Sequence, residues 1–381
     1  MTAAPLIVAV RRTAVGRAGG LFRTRTLDQL AAPVIEAVLA QTGLPPRRVD
    51  AVLMGNALEG GNAARRCALA GGLSQEVPAT TLDRQCTSGL DAILDAVAQV
   101  AGGRAQAVLA GGAESCSTAP WRVARPAGPA EMPRFLARAP FSAPPYADPD
   151  PVAGADALAQ ACAIPRADQD AWAARSHANA VAAEDAGSLA AEGVRVFDGE
   201  VDEAPKRGLT GHRLGRLKPL DGPEGTVTAG TAAPEADAAA VALVLAPDVV
   251  RELGLTGRAL RLDAGAQAGC DPAWAGYAAV PALERLARAV DPVAAGRIEF
   301  NEAFAGQTLA CLRAAGLPED RVSRNGGALA YGHPYGASGT LLLCRLFHDL
   351  APRQSGLAAL SAMGGQGTAA MFTRVDPAIR A

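Results

Sequence analysis

Cys86 is the residue whose position most favours chemistry. The stretch Thr80-Thr81-Leu82-Asp83-Arg84-Gln85-Cys86-Thr87-Ser88-Gly89-Leu90 passes from an extended entry, Val77 to Leu82, into a helical pattern carried by Leu90, Ile93, Leu94 and Val97. A thiol at such a strand-to-helix turn faces the unpaired N–H groups and the positive end of the helix dipole, which lower its pKa and favour the thiolate. The same N–H groups can hold a carbonyl oxygen as it becomes an oxyanion. A cysteine taken at random is more often a buried, inert packing residue. The turn reverses that preference here.

His333 is one of four histidines, the others being His177, His212 and His348. It stands in a turn crowded by Gly332, Pro334, Gly336 and Gly339, where the backbone must approach something closely. It is either a packed structural histidine or, given a candidate cysteine elsewhere in the chain, a catalytic base or oxyanion donor, and the second reading is favoured. His177 and His348 lie on helical patterns near charged residues and read as surface or packing residues, while His212 either meets an anionic ligand or is solvated. Asn301, at a predicted strand end, either positions a water or a histidine or forms an Asx turn.

Composition excludes several alternatives. Net charge is −2, with 36 basic against 38 acidic residues, so there is no electrostatic footprint for nucleic acid. Lys206 and Lys218 are the only lysines, which argues against a catalytic Schiff base. The seven cysteines are odd in number and lack C-x-x-C spacing, so neither a disulfide framework nor a metal cluster is expected. Gly365-x-Gly367-x-x-Ala370 mimics a dinucleotide fingerprint but has no βαβ unit behind it, and no Gly-x-Ser-x-Gly elbow or Gly-Lys-Ser/Thr phosphate loop is present. Met1 to Val10 lacks the pattern of a signal peptide and no apolar run spans a bilayer, so a soluble cytoplasmic protein, with no membrane partner, is expected.

The elements that must position these residues repeat. At 381 residues the chain exceeds one ordinary core, which implies two domains or a duplicated architecture. Hydrophobic residues make up 49% but aromatics only 4%, so Ala, Val and Leu must fill close-packed layers. In the first part, the patterns predict a strand at 5–10, a helix at 26–42, a strand at 49–54 ending in Gly55-Asn56, a short helix at 63–70, the Cys86 turn and its helix to about Ala101. A strand at 106–110 then closes on Gly111-Gly112-Ala113-Glu114-Ser115. In the last third, a strand at 297–300 ends in Asn301-Glu302-Ala303-Phe304-Ala305, followed by a helix at 308–315, the His333 turn, a helix at 340–350 and a strand at 356–360 closing on Met363-Gly364-Gly365-Gln366-Gly367. The order is the same in both: strand ending in Asn, helix, small-residue turn, helix, strand ending in Gly-Gly. An internally duplicated α/β unit follows, with helices layered around two similar sheets and with Cys86 and His333 in related places. The domains are expected at 1–246 and 247–381, the first holding an inserted loop domain at about 117–220 that caps a pocket or builds a subunit contact.

On these motifs the sequence resembles the thiolase family across nearly its whole length. The matching pieces are Val77-Pro78-Ala79-Thr80-Thr81 through Cys86-Thr87-Ser88-Gly89-Leu90, Gly111 to Ser115, Asn301 to Ala305, and Gly332-His333-Pro334-Tyr335-Gly336-Ala337-Ser338-Gly339. The resemblance implies a five-layered αβαβα fold, a homodimer or homotetramer, and acyl-CoA chemistry with no bound cofactor or metal. It further implies that Cys86 takes the acyl group as a thioester, that His333 activates it and later polarises a thioester oxygen, and that Asn301 holds a water in that oxyanion hole. The backbone N–H groups of Cys86 and Met363 would form the other hole.

The chain also departs from the family pattern. Where thiolases carry Cys-x-Gly-Gly-Gly, with the cysteine as acid/base for the second substrate's α-carbon, this chain has Ser361-Ala362-Met363-Gly364-Gly365. A serine hydroxyl is far less acidic than a thiol. The family's His-Met-Gly-Thr-Thr-Ala-Glu aligns with Asp150 to Asp156, and its Gly-Asn-Ala-Ser-Gly with Gly230 to Pro234. The leading expectation is an acyltransferase loading Cys86 from an acyl-CoA for carbon–carbon bond formation or cleavage. The alternatives are an acyltransferase or condensing enzyme with a non-CoA carrier or an amine or alcohol acceptor, and a non-catalytic thiolase-like subunit. The CoA-contacting residues stay unassigned.

Overall fold

The computed structural model describes residues 4–197 and 200–377. Its centre is a crossing of two helices, Ser88–Ala101 and Tyr335–Asp349. The first presents Leu90, Ile93, Ala96, Val97 and Val100 to a buried cluster that also takes Leu342, Leu343, Leu346 and Phe347 from the second. Each large aliphatic or aromatic side chain so buried contributes about 1.5–3 kcal/mol.

Two half-sheets sandwich these inner helices. In the first, Ala79–Leu82, Ala51–Gly55 and Ala107–Ser115 run parallel, and Ala236–Leu245 and Leu6–Arg12 follow antiparallel. In the second, Arg297–Phe300 and Ser355–Ala362 run parallel, and Gln366–Val375 and Ala259–Gly269 follow antiparallel. Outer helices Leu27–Thr42 and Ala63–Ala70 cover the first half-sheet, and Ala279–Leu286 and Ala305–Ala314 cover the second. The result is helix, sheet, helix, sheet, helix, and the duplicated order expected from the sequence is present in both halves. The halves also pair at one position, Ile7 with Leu260, so strand pairing runs through a single ten-stranded sheet.

The expected elements form with modest shifts of their ends. Thr26 caps the first helix and Gly43, at φ 66°, terminates it in the left-handed region where glycine carries no Cβ penalty. The second inner helix starts at Tyr335, not at Thr340. Ala259–Gly269, Gln366–Val375 and Ala279–Leu286 were not expected at all. The first is rich in Ala and Gly, and pairing in the sheet overrides its weak intrinsic preference.

The inserted segment carries a short hairpin, Arg122–Ala124 with Arg134–Leu136, then helices Pro151–Ala161 and Arg166–Asp185. Buried ionic contacts fasten it. Arg12 meets Glu192 at 2.7 Å and Asp202 at 2.8 Å. Glu302 accepts hydrogen bonds from Trp172 Nε1 at 3.1 Å and Ser176 Oγ at 2.6 Å. A buried charge missing its partner is costly, so these contacts set where the insertion sits over the body.

The helix crossing depends on missing side chains. A Cβ added at Gly112 would lie 2.0 Å from the Gly336 carbonyl oxygen, and one at Gly336 would lie 2.6 Å from Asn56 Cα. Backbone cannot yield as a flexible side chain can. Gly112→Ala is therefore expected to lower stability by at least about 2 kcal/mol, overpacking in a region with no slack. Urea denaturation measures it, and an unchanged midpoint would show that the crossing is not tight.

Candidate active site

The turn bearing Cys86 is held from both sides. Gln85 adopts φ 53°, a left-handed conformation that costs a non-glycine residue energy. Its N–H is taken by Asp83 Oδ1 at 3.0 Å and its carbonyl by Ser88 Oγ at 2.6 Å. Arg84 bridges to Asp91 at 2.6 Å and to Gln366 at 2.7 Å, and buried Asp91 also accepts from Gln267 and Thr368, each at 2.7 Å. Residues of the second half thus seat the turn of the first. Cys86 lies in a one-turn 3-10 segment, Gln85–Thr87, just ahead of the inner helix.

His333 arrives from the other half. Its N–H donates to the Pro234 carbonyl at 2.8 Å, and Gly332 before it has φ 117°, open to glycine alone without strain. Its Nε2 stands 3.0 Å from Cys86 Sγ and its Nδ1 stands 2.7 Å from Ser338 Oγ. For Nε2 to accept the thiol proton, Nδ1 carries the hydrogen and donates to Ser338 Oγ. The arrangement is a Cys–His–Ser chain in which the hydroxyl orients the ring.

Both residues line a cavity of about 390 Å³ whose wall is mainly apolar, including Leu58, Phe141, Phe304 and Met363. The backbone N–H groups of Cys86 and Met363 act on the thiol to lower its pKa. Ser361 lines the same cavity, but its hydroxyl is committed: Oγ accepts from Ala279 N–H at 2.8 Å and donates to the Gly276 carbonyl at 2.8 Å. Asn301 does not line it. It borders a smaller space shared with Gly332 and Ser338, and its buried Nδ2 donates to none of the described residues. The structure therefore brings Cys86, His333, Met363 and Ser361 to one cavity and puts Asn301 behind the histidine. His177, His212 and His348 lie outside it. Among the described residues, no group of His, Cys, Asp or Glu is placed to hold a metal ion.

The thiolase N-terminal domain matches residues 6–248, and the thiolase C-terminal domain matches residues 258–374. The chain belongs to the thiolase family. It is thus an acyltransferase in its general class. A Staphylococcus haemolyticus protein named "putative acetyl-CoA C-acetyltransferase VraB" is 37% identical over 97% of this chain and 98% of its own length. Its Staphylococcus aureus counterpart of the same name is 36% identical over 97% and 99%. The crystal structure of the Bacillus anthracis acetyl-CoA acetyltransferase superposes with a TM-score of 0.89 at 30% identity, covering 98% of this chain and 99% of that one.

Within this thiolase fold, several residues have positioning roles that their sequence context does not reveal. Glu114 is fully buried and accepts from Asn56 Nδ2 at 2.6 Å, Ala57 N–H at 2.9 Å and Gly336 N–H at 3.0 Å, clamping the start of the second inner helix to the first half-sheet. Burial pushes its carboxyl up to about 7, against the pull of those N–H groups. Asp91 looks like an ordinary helix-surface acid in sequence. Ser338 could have been found: a small hydroxyl in the first turn of a helix that opens two residues after a candidate base is within reach of it.

The protonation state corrects one expectation. The turn was expected to lower the Cys86 pKa. Burial instead pushes it up to about 12, outweighing the N–H groups of Cys86 and Met363, and buried Glu114 adds to the rise. Burial also lowers His333 to about 4. Below the raised thiol pKa and above the lowered imidazole pKa, the pair is a neutral thiol and a neutral imidazole. Iodoacetamide labelling of Cys86, read by peptide mass, is expected to climb about tenfold per pH unit from pH 7 to at least pH 10. A plateau below pH 8 would reveal a thiolate–imidazolium pair instead.

Proposed function

We propose that Cys86 takes an acyl group from an acyl-CoA as a thioester and passes it on in carbon–carbon bond formation, or runs the reverse cleavage. The observation that carries this reading is the 3.0 Å contact between Cys86 Sγ and His333 Nε2 inside the cavity. In the first step the S–H proton moves to His333 Nε2 as sulfur attacks the thioester carbonyl. Proton and nucleophile move together because neither separated charge is favoured at this depth. Negative charge develops on the carbonyl oxygen, where the N–H groups of Cys86 and Met363 are suited to receive it. The carbon–sulfur bond to CoA then breaks, and the departing thiolate recovers the proton from His333.

The second step needs a base for the acceptor's α-carbon. Ser361 is poorly suited, since its proton is held by the Gly276 carbonyl. His333, or a water beside it, is the candidate nearest the Cys86 sulfur, with Asn301 behind it as a potential donor. A homodimer or homotetramer in the cytoplasm belongs to the same reading: Ala79–Leu82 ends the sheet with an open edge, and all seven cysteines are free thiols.

Intact-protein mass after brief incubation with acetyl-CoA and longer acyl-CoAs is expected to show an acyl adduct that is absent from Cys86→Ala. No adduct with any acyl-CoA, in a folded protein, would sink this reading.

The committed hydroxyl of Ser361 favours a second reading, transfer to an amine or alcohol, which needs no α-carbon base. The two separate in D2O. Carbon–carbon chemistry is expected to place deuterium on the α-carbon of acetyl-CoA. Adduct formation without any α-exchange would favour the heteroatom acceptor.

A further inference from the structure

Besides Cys86 and His333, the cavity wall holds a side-chain pair that the acyl-transfer steps do not use. Tyr335 opens the second inner helix, and its ring meets the His333 ring edge-on at 5.1 Å. Its hydroxyl donates to Glu235 Oε1 at 2.6 Å, and both residues line the Cys86 cavity. Glu235 is tied to the same site through its backbone, which pairs with His333 in a strand-like bridge. Among the described residues nothing donates to its second carboxylate oxygen, Oε2.

The other charged groups on this wall have protein partners, though Arg122 meets only backbone carbonyls and carries no ion pair among the described residues. Asp150 caps the helix Pro151–Ala161 by accepting from Val152 N–H at 2.9 Å. Arg138 is paired with Asp148 at 2.9 Å, and Arg122 donates to the carbonyl of Ala57 at 3.3 Å. Glu235 therefore offers an oriented carboxylate oxygen at the solvent-exposed edge of a mainly apolar cavity. Burial and the neighbouring carboxylate push the Tyr335 phenol pKa up, which keeps it a proton donor and holds Glu235 in this geometry.

We propose that the Glu235–Tyr335 pair is a recognition subsite for an acyl group bearing a hydrogen-bond donor, a hydroxyl or an ammonium, beyond its thioester. This rests on acylation of Cys86 by acyl-CoA. A plain alkyl chain strips water from Oε2 and returns nothing, whereas a donor group replaces the lost hydrogen bond with a charge-assisted one. An acyl group ending in a carboxylate meets like charge and is disfavoured.

The test uses the full chain and the rate of Cys86 acylation, read by intact mass at limiting acyl-CoA. The probes are butyryl-CoA, 3-hydroxybutyryl-CoA, 4-hydroxybutyryl-CoA, β-alanyl-CoA and succinyl-CoA. Wild type is expected to favour at least one hydroxyacyl or aminoacyl thioester over butyryl by on the order of tenfold, with succinyl the slowest. The quantity compared is the ratio within each variant, so a general loss of activity cancels. Glu235→Leu is expected to bring that ratio close to one. Glu235→Gln preserves shape should the leucine variant fold poorly. It keeps an acceptor oxygen, so it should retain the hydroxyl preference and lose the ammonium one. A wild-type ratio near one, or a preference that survives in Glu235→Leu, overturns the subsite. Labelling without discrimination overturns this inference alone. Absence of any adduct overturns the acyl-CoA reading and the subsite with it.

Discussion

The close approach of backbone at the Gly336 carbonyl is the constraint on which the rest of the structure depends. That oxygen sits where side chains of Gly55, Gly89 or Gly112 would otherwise reach, with a virtual Cβ at 2.6, 2.6 and 2.0 Å respectively. Only with all three bare can the start of the second inner helix settle onto the start of the first. Glu114 completes the contact by accepting N–H groups from both sides, from Ala57 and from Gly336. The thiol of one half and the imidazole of the other then come within hydrogen-bond reach. No flexible element is needed to assemble them.

That depth has an electrostatic consequence. Burial disfavours charge on Cys86 and on His333 alike, so the helix terminus does not generate a standing thiolate. Its N–H groups are better used on a charge that appears only during reaction. Ser338 fits this picture, because it orients a neutral imidazole and brings no charge of its own. The same economy holds at Ser361. Its two short hydrogen bonds make it a structural link between the strand Ser355–Ala362 and the segment around Gly276. That commitment leaves Ser361 poorly placed to act as a base.

The wall of the Cys86 cavity is not purely hydrophobic. The inserted segment contributes Phe141 and Arg138, Met363 adds bulk beside the oxyanion position, and Glu235 with Tyr335 adds an oriented negative charge. The inner-helix turns hold the thiol and imidazole, while loops and the insertion shape what reaches them.

The sequence by itself determined the layered α/β architecture and its duplication, because both rest on local patterns: apolar periodicity, glycine punctuation and strand-end Asn recurring in the same order. It also singled out Cys86 and His333, which the fold brings into contact, since a thiol at a strand-to-helix turn and a histidine among glycines are local signals. Ala259–Gly269 was hidden because Ala and Gly carry little intrinsic preference and take strand form only once paired. Asp91, Glu114 and the Glu235–Tyr335 contact were hidden because their partners lie far away in the chain, at Thr368, Gly336 and each other. The sign of the Cys86 shift was decided only by the tertiary structure. A helix terminus is visible in sequence, but desolvation depends on everything packed around it.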